Sequence, residues 1–178
     1  MARTGTTNET DAEIARQIAA LADPSIDVRH TAVAALGGIG EPAIEPLLRM
    51  LADAGDNDRR WYASVALSRI GEPAITPVIL AMEKNPDRDF RRYAAAALGE
   101  IGIPAIEPLI LAMKSTDREL RGVLSQALCR IGKPAVGPLK QRLDDADEIL
   151  RSCAILTLWK MGEDGVPTLI ENIHEESG

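Results

Sequence analysis

Apolar residues recur along this chain at the spacing of one helix face. Between positions 27 and 39 they stand at steps of three, four and seven, and the same pattern returns from about positions 58, 89, 119 and 148. A second helical stripe, formed in its first complete copy by Ile44, Leu47, Leu48 and Leu51, lies between these segments. No stretch alternates apolar and polar residues as a half-buried strand does. The pattern therefore predicts an all-α protein.

Short sequence marks recur in register with these helical segments. Ile-Gly pairs stand at 39–40, 70–71, 101–102 and 131–132, followed by Met161-Gly162, and a Leu precedes each pair by three positions. The glycine is predicted to end one helix in a left-handed conformation, and the proline two positions later in the first four copies to begin the next helix. The second proline of each copy, such as Pro46, either marks the start of that helix or bends its first turn.

Each copy is a helical hairpin, in which a proline-containing helix A precedes an arginine-containing helix B. One hairpin cannot cover its own apolar stripe, whereas the next hairpin stacked on it can. We therefore predict a right-handed α-solenoid of five hairpins, closed by a capping helix with a polar outer face. The predicted boundaries are a flexible segment at 1–10, a single solenoid domain at 11–174 with repeats at about 11–40, 41–71, 72–102, 103–132 and 133–162 and the cap at 163–174, and a tail at 175–178.

The repeated string itself resembles a known family. The string Asp-x-Arg-x-x-Ala-x-x-Ala-Leu-Gly-x-Ile-Gly-x-Pro-Ala-Ile-x-Pro-Leu reads from Asp27 to Leu47 and again from Asp89 to Leu109. It resembles the HEAT-like repeats of the phycobilisome-lyase type over residues 11–174. The resemblance implies an α-solenoid whose B helices line a concave face. Members of that family include bilin lyases, a di-iron hydroxylase and small scaffold proteins, so the resemblance is specific for the fold and weak for the function.

An arginine occupies the same place in the first turn of every helix B, and an acidic residue stands two positions before it in the first four copies. Stacked in register, these guanidinium and carboxylate groups are predicted to form a ladder that sets the spacing of the repeats. The alternative is a row of anion-binding arginines. The predicted ladder comprises Arg29, Arg60, Arg91, Arg121 and Arg151 with Asp27, Asp58, Asp89 and Glu119.

Four columns of helix B vary between copies and point away from the apolar stripe, at the positions one, two, five and nine after the arginine. Three of the five aromatic residues of the chain fall in these columns, in two adjacent repeats. Because Trp, Tyr and Arg dominate binding hot spots, the sequence predicts a recognition patch on the concave face. The alternative is that the tyrosines pack against the neighbouring helix and only their hydroxyl groups reach water. The candidate patch comprises Trp61, Tyr62, Arg69, Arg92, Tyr93, Glu100, His30 and Arg130.

Two A helices carry segments that are apolar all round. The segments 78–82 and 109–113 include Leu80 and Leu111, where other copies have Arg49 and Gln141. Such a helix is either buried on every side or covered by a partner. We expect burial within the stack, with self-association of the chain through these segments as the alternative.

Composition and charge narrow the classes of function. The chain has 20 Lys and Arg against 27 Asp and Glu, and its net charge of −7 argues against binding to a nucleic-acid backbone. No apolar run approaches the roughly 20 residues of a membrane helix, and the first ten residues lack the apolar segment of a secretory signal. Two cysteines make no disulfide framework, so a reducing cytoplasm is the expected location.

Candidate chemistry is sparse in this sequence. The two histidines stand at opposite ends of the chain, and no metalloprotease motif, phosphate-binding glycine loop or activated cysteine is visible. The acidic turn at 144–148 is expected to be a solvated loop rather than a cation site. We therefore predict a non-catalytic cytoplasmic scaffold, without metal or cofactor, that binds another protein or peptide along its concave face. The alternatives are a lyase- or chaperone-type subunit that handles a bilin or other prosthetic group, and a HEAT-like nucleic-acid binder, which the net charge disfavours.

Overall fold

The computed structural model describes residues 4–53 and 55–176, with side chains described over 9–53 and 55–172. Within these ranges, helices of type A and type B alternate along the chain, as the sequence predicts. The A helices are α1 Thr4–Ala20, α3 Ile44–Asp53, α5 Ile75–Lys84, α7 Ile106–Ala112, α9 Val136–Lys140 and α11 Val166–Glu176. The B helices are α2 Ile26–Ile39, α4 Asn57–Ile70, α6 Arg88–Ile101, α8 Arg118–Ile131 and α10 Glu148–Lys160.

Aspartate side chains cap the N-termini of several B helices. The Oδ1 atom of Asp117 accepts hydrogen bonds from the N–H groups of Glu119 and Leu120 at 2.9 and 3.1 Å. Asp147 accepts in the same way at the start of α10, and Asp56 accepts from Asp58 N–H at 2.9 Å. These aspartates satisfy main-chain donors that the helix itself leaves without an acceptor.

A glycine ends each of the first four B helices with a backbone conformation that favours glycine. Gly40 has φ 77° and ψ −138°, and Gly71, Gly102 and Gly132 repeat these angles closely. The positive φ confirms the prediction. The ψ value differs from that of the left-handed helical region and lies close to a region that is essentially restricted to glycine.

The two prolines of each helix A have different roles. Pro42 lies in a 3-10 turn, Glu41–Ala43, and α3 begins at Ile44. Pro46 is therefore the third residue of α3, where a main-chain N–H would have no acceptor within the helix. The α-helix thus begins two residues before the second proline, a position that neither sequence-based alternative specified.

By its contacts the chain divides into two compact units, Met1–Ala97 and Leu98–Gly178. In the first unit α2 packs against α1 and α4, and α4 packs against α3. In the second, α8 packs against α7 and α10, and α10 packs against α9 and α11. Within each unit, hairpins thus cover one another in chain order, and the fold is an α-solenoid.

The apolar columns form the core of both units. The leucines three positions before each Ile-Gly or Met-Gly pair are fully buried, and burial of each contributes about 1.5–3 kcal/mol. Small residues allow close packing between the B helices, since a Cβ atom added at Gly37 would lie 2.8 Å from Arg69 Cβ. The buried leucines are Leu36, Leu67, Leu98, Leu128 and Leu158.

The ends of the helical array differ from the sequence-based expectations. α1 begins at Thr4, within the segment 1–10 that the sequence predicts to be flexible. Residues 1–3, 54, 177 and 178 lie outside the described residues. Residues 1–3 belong to the predicted flexible segment at 1–10, and residues 177 and 178 to the predicted tail at 175–178. The predicted polar outer face of the cap is wrong at Ile170 of α11, because this side chain is exposed.

Within the described residues, no single helix has the length and apolarity of a membrane span. The segments Asn57–Ile70 and Glu72–Lys84 reach the length and apolarity of a membrane span only when they are taken together, and the pair is bent by 118°.

Candidate functional site

The B helices of the first unit bring aromatic and basic side chains together at the surface. Trp61 on α4 is 46% exposed, and the neighbouring Tyr62 is half-buried. The guanidinium carbon of Arg29 lies 4.8 Å from the centre of the Tyr62 ring, and the ring of His30 lies 6.1 Å from it at a tilt of 55°. Arg29 and His30 of α2 thus cluster around Tyr62 of α4, and Trp61, the residue before Tyr62, is exposed.

A similar cation–ring contact lies on α6. Arg92 is exposed, and its guanidinium carbon lies 4.7 Å from the centre of the half-buried Tyr93 ring. Its Nη2 atom is 3.1 Å from Asp89 Oδ1. Asp89 also lies 3.8 Å from Arg60 Nη1 of α4, so this carboxylate joins the two helices. Tyr62 and Tyr93 therefore each pack against an arginine and remain partly accessible to solvent. The two arginines, Arg29 and Arg92, each lie near an aspartate.

The remaining predicted patch residues divide between the two units. Arg69 is exposed on α4 in the first unit, with its Cβ atom packed against Gly37 of α2. Glu100 and Arg130 lie in the second unit and form an exposed ion pair, 2.6 Å between Arg130 Nη2 and Glu100 Oε1. The structure therefore places six of the eight predicted residues on one unit and pairs the other two with each other.

The arginine column makes contacts that sequence reasoning missed. Arg91 is buried, and its Nε atom donates to the carbonyl oxygens of Met82 and Asn85, both at 2.9 Å. Arg121 and Arg151 each donate at 2.8 Å to a carbonyl oxygen that follows helix A of the same hairpin. Arg60 donates to the carbonyl of Leu51, at 3.4 Å. These arginines hold the end of helix A against the start of helix B.

Two longer contacts of the predicted ladder lie within the described part of the first unit. Arg29 Nη1 lies 3.8 Å from Asp58 Oδ2, and the Arg60–Asp89 pair has the same spacing. Exposed pairs of this kind contribute about 0–1 kcal/mol, whereas hydrogen bonds of a charged group to main-chain carbonyls contribute about 1.5–3 kcal/mol. The carbonyl bonds within the hairpins therefore contribute more than either of these two ion pairs.

Repeated hairpins with these features occur in a known family. A family model described as HEAT repeats matches residues 14–99, 75–158 and 106–178. The chain belongs to the HEAT-repeat family. No protein of curated function matches this sequence.

Several solved structures resemble this HEAT-repeat chain at low identity. One is a computationally designed armadillo repeat protein for modular peptide recognition, 18% identical over 88% of this chain and 90% of that chain, with a TM-score of 0.33. Another is a designed armadillo repeat protein in complex with the peptide (KR)4, 19% identical over 89% and 91% of the two chains, TM-score 0.35. A third is an engineered protein, 18% identical over 89% and 84%, TM-score 0.37. All three superpositions are loose, so the fold assignment rests on the HEAT-repeat match and the helical order.

The HEAT repeats of the second unit present a groove where the first unit has rings. The groove lies between α8 and α10 and has a volume of about 530 Å³. Small residues open it, since Gly122 and Ser152 occupy the column of Trp61, and Cys153 occupies the column of Tyr62. Arg118, Arg121, Glu148 and Lys160 are the charged residues of its lining.

The environment of the two cysteines of this unit favours the protonated thiol. Burial raises the pKa of the Cys153 thiol, and the smaller opposing effect comes from Arg121. Burial likewise raises the pKa of Cys129, against a smaller effect of Lys160. A raised pKa keeps both thiols protonated near neutral pH, whereas a nucleophilic cysteine needs a lowered pKa.

The apolar A helices are only partly covered. Val78, Ile79 and Met82 of α5 are buried, as the sequence predicts, but Leu80 is exposed beside a groove of about 470 Å³ between α3 and α5. Leu111 of α7 is exposed in the second unit. The expectation of burial on every side is therefore wrong for these two leucines.

Side chains of the acidic turn in the fifth hairpin accept hydrogen bonds from the main chain. Asp145 accepts a hydrogen bond from Asp147 N–H at 3.0 Å, and Asp147 caps α10. Within the part of the chain that the structure describes, no group of three or more His, Cys, Asp and Glu side chains is arranged to hold a metal ion.

Proposed function

We propose that this HEAT-repeat chain is a non-catalytic scaffold that binds another protein or peptide along the B helices of its first unit. The observation that carries this proposal is the exposure of Trp61, next in sequence to the half-buried Tyr62. A large ring kept at the surface of a repeat whose other columns are well packed is typical of an interface.

The chemistry around Trp61 suggests which ligands fit. Tyr62 and His30 extend the apolar surface, while Arg69 and Arg92 place two exposed cations on α4 and α6. A peptide with an aromatic or aliphatic anchor and a nearby carboxylate would satisfy both features. The −7 net charge makes long-range attraction to a strongly acidic polymer such as DNA unfavourable.

The same proposal includes a cytoplasmic location and the absence of a cofactor, both taken from the sequence. The phycobilisome-lyase subtype, and with it the handling of a bilin or other prosthetic group, rests on the sequence resemblance. It predicts that a conjugated ligand would quench Trp61 fluorescence on titration; a flat titration would remove this alternative.

The main experiment compares two double variants in affinity capture followed by binding measurements on each captured partner. Trp61→Ala with Tyr93→Ala removes two rings of the patch, and Leu80→Ala with Leu111→Ala removes two exposed leucines of helix A as the control. We expect the first variant to weaken binding at least tenfold, about 1.4 kcal/mol, and the control to leave it unchanged.

Folding of both variants is checked by urea unfolding, because a loss of binding is informative only in a folded chain. Retention of every partner at unchanged affinity by the ring variant would refute the patch. A partner lost only in the leucine control would instead place the binding surface on the A helices.

A further inference from the structure

The groove between α8 and α10 collects positive charge in a chain of the opposite sign. Its charged lining consists of three cations, Arg118, Arg121 and Lys160, and one carboxylate, Glu148. Three positive charges less one negative charge leave the groove with a net charge of +2, whereas the whole chain carries −7. Because salt screens charges that lie more than about 8 Å away, an anionic group close to the groove is attracted by these local cations.

Two of the cations are available to a ligand. Arg118 at the start of α8 and Lys160 at the end of α10 are exposed, and neither forms an ion pair within the part of the chain that the structure describes. By contrast, Arg130 and Arg142 of the same unit pair with glutamates at 2.6 and 2.9 Å. A ligand carboxylate can therefore bind Arg118 or Lys160 without displacing a carboxylate of this unit.

The middle of the groove is suited to an apolar group. Ile149 and Leu156, which line it, are 37% and 57% exposed. The hydroxyl groups of Ser125 and Thr157 in the lining are already bonded to each other at 3.0 Å. The centre therefore favours an aliphatic side chain of a ligand over a polar one.

These positions stay accessible where a further hairpin follows. Trp61 and Arg69 of α4 correspond to Ser152 and Lys160 of α10, and both are exposed although α6 is the next B helix along the chain. The groove therefore lies on the face of the B helices that stacking leaves uncovered.

The spacing of the cations sets the length of a ligand that reaches all of them. Arg121 lies beside the thiol of Cys153, and Lys160 follows Cys153 by seven positions, which is about 10 Å along α10. Arg118 stands one helical turn before Arg121, so the three cations span about 10–15 Å. About five residues of extended peptide cover this distance at about 3.3 Å each, with the first, third and fifth side chains on the same side.

We propose that this groove binds an extended acidic segment of a partner protein, with a carboxylate at each end and an aliphatic side chain between them. Arg118 and Arg121 bind one carboxylate, and Lys160 binds the other. Ile149 and Leu156 contact the aliphatic side chain. The site lies on the second unit and is separate from the patch proposed for the first unit, so either proposal can fail alone.

The first test measures binding of the dye-labelled peptide Glu-Ser-Leu-Ser-Glu to the full chain by fluorescence anisotropy. We expect it to bind about tenfold or more tightly than the same peptide with glutamine at both ends, and more tightly than the peptide with one glutamate. Equal binding of the three peptides would overturn the proposal. A single-stranded DNA oligonucleotide that binds more tightly than the peptide and competes with it would assign the groove to nucleic acid instead.

Two double variants test the position of the peptide. Arg118→Glu with Lys160→Glu reverses the two exposed cations of the groove and should weaken binding about tenfold or more. Lys114→Glu with Lys133→Glu makes the same change of charge at exposed lysines of this unit outside the groove lining, and should weaken binding by about threefold or less. Equal losses in two variants that urea unfolding shows to be folded would reveal a general effect of charge and overturn the assignment.

The ring variant separates this site from the patch of the first unit. Trp61→Ala with Tyr93→Ala should bind the acidic peptide as the wild-type chain does. Loss of the peptide in that variant alone would place it on the first unit and overturn the groove assignment. A wild-type chain that binds none of the peptides would also overturn it, and would leave the proposal for the patch unaffected.

A second measurement needs no charge-reversed variant. Cys129→Ser leaves Cys153, a half-buried residue of the groove lining, as the sole cysteine, and saturating peptide should slow its alkylation at pH 8 about threefold or more. Cys153→Ser leaves Cys129, which is outside the lining, and the peptide should not change its alkylation rate. Equal protection of both thiols, or of neither, by a peptide that anisotropy shows to be bound would contradict the groove.

Discussion

The B helices of the two units share one pattern of buried residues and differ at their surfaces. In the first unit, the column one after the arginine holds His30, Trp61 and Arg92, and the next column holds Thr31, Tyr62 and Tyr93. In the second they hold Gly122, Ser152, Val123 and Cys153, and a groove replaces the rings. The contrast separates residues that build the solenoid, which recur, from residues that distinguish one surface from the other, which do not.

The arginine column shows the same contrast below the surface. Arg91 in the first unit is buried and donates to two carbonyl oxygens, whereas Arg121 and Arg151 in the second are half-buried, each with one such bond from Nη1. The same residue at the same place in the repeat thus stabilises its hairpin to a degree that depends on its burial.

The largest expected effect comes from Arg91→Ala. Loss of its charged hydrogen bonds to Met82 and Asn85 should lower the free energy of unfolding by about 2–4 kcal/mol in urea titrations. Arg121→Ala should cost about half as much, because its hydrogen bond to the carbonyl oxygen of Ser115 comes from a more exposed side chain. Arg92→Ala, the exposed neighbour, should cost about 1 kcal/mol or less. Equal losses in the free energy of unfolding for Arg91→Ala and Arg92→Ala would show that burial of the arginine does not determine its contribution to stability.

A smaller effect is expected from Thr157→Val in the second unit. The buried Thr157 hydroxyl lies 3.0 Å from Ser125 Oγ and 2.7 Å from the carbonyl oxygen of Cys153. Its removal should lower the free energy of unfolding by about 1–2 kcal/mol, since Ser125 stays buried with one partner fewer. Thr31→Val removes an exposed hydroxyl that donates to the Asp27 carbonyl oxygen, and it should change the free energy of unfolding by about 0.5 kcal/mol or less. Equal losses of stability in Thr157→Val and Thr31→Val would show that burial does not decide how much a threonine hydroxyl contributes to the free energy of unfolding.

The smallest effect concerns the thiols, which only the second unit has. Burial raises the pKa of Cys129 and of Cys153 above the ordinary 9.0, so a smaller thiolate fraction forms at any given pH. We expect alkylation of the folded chain at pH 8 to be slower than that of the chain unfolded in urea, with Cys129→Ser and Cys153→Ser separating the two sites. The associated stability is fully present below pH 9.0 and is lost as the pH rises through the raised pKa. Equally fast labelling of folded and unfolded chains would contradict the buried environment.

Helix order and the spacing of the hairpins could be predicted because they depend on local features that recur. The Ile-Gly pair, the Leu three positions before it and the prolines after it act over a few residues, and each is repeated four or five times. The exposure of Trp61 could also be inferred, because its column lies opposite the apolar stripe. The ion pair between Glu100 and Arg130 could not be predicted, since it depends on how closely two helices pack.

The sequence by itself determined the helices, their ends and the columns that form the core, because helical period and backbone preference are properties of neighbouring residues. Only the tertiary structure decided which carbonyls the column arginines reach and which leucines of helix A stay exposed. Coverage is supplied by residues some thirty positions away, and no local pattern specifies whether such a neighbour is present or how closely it packs.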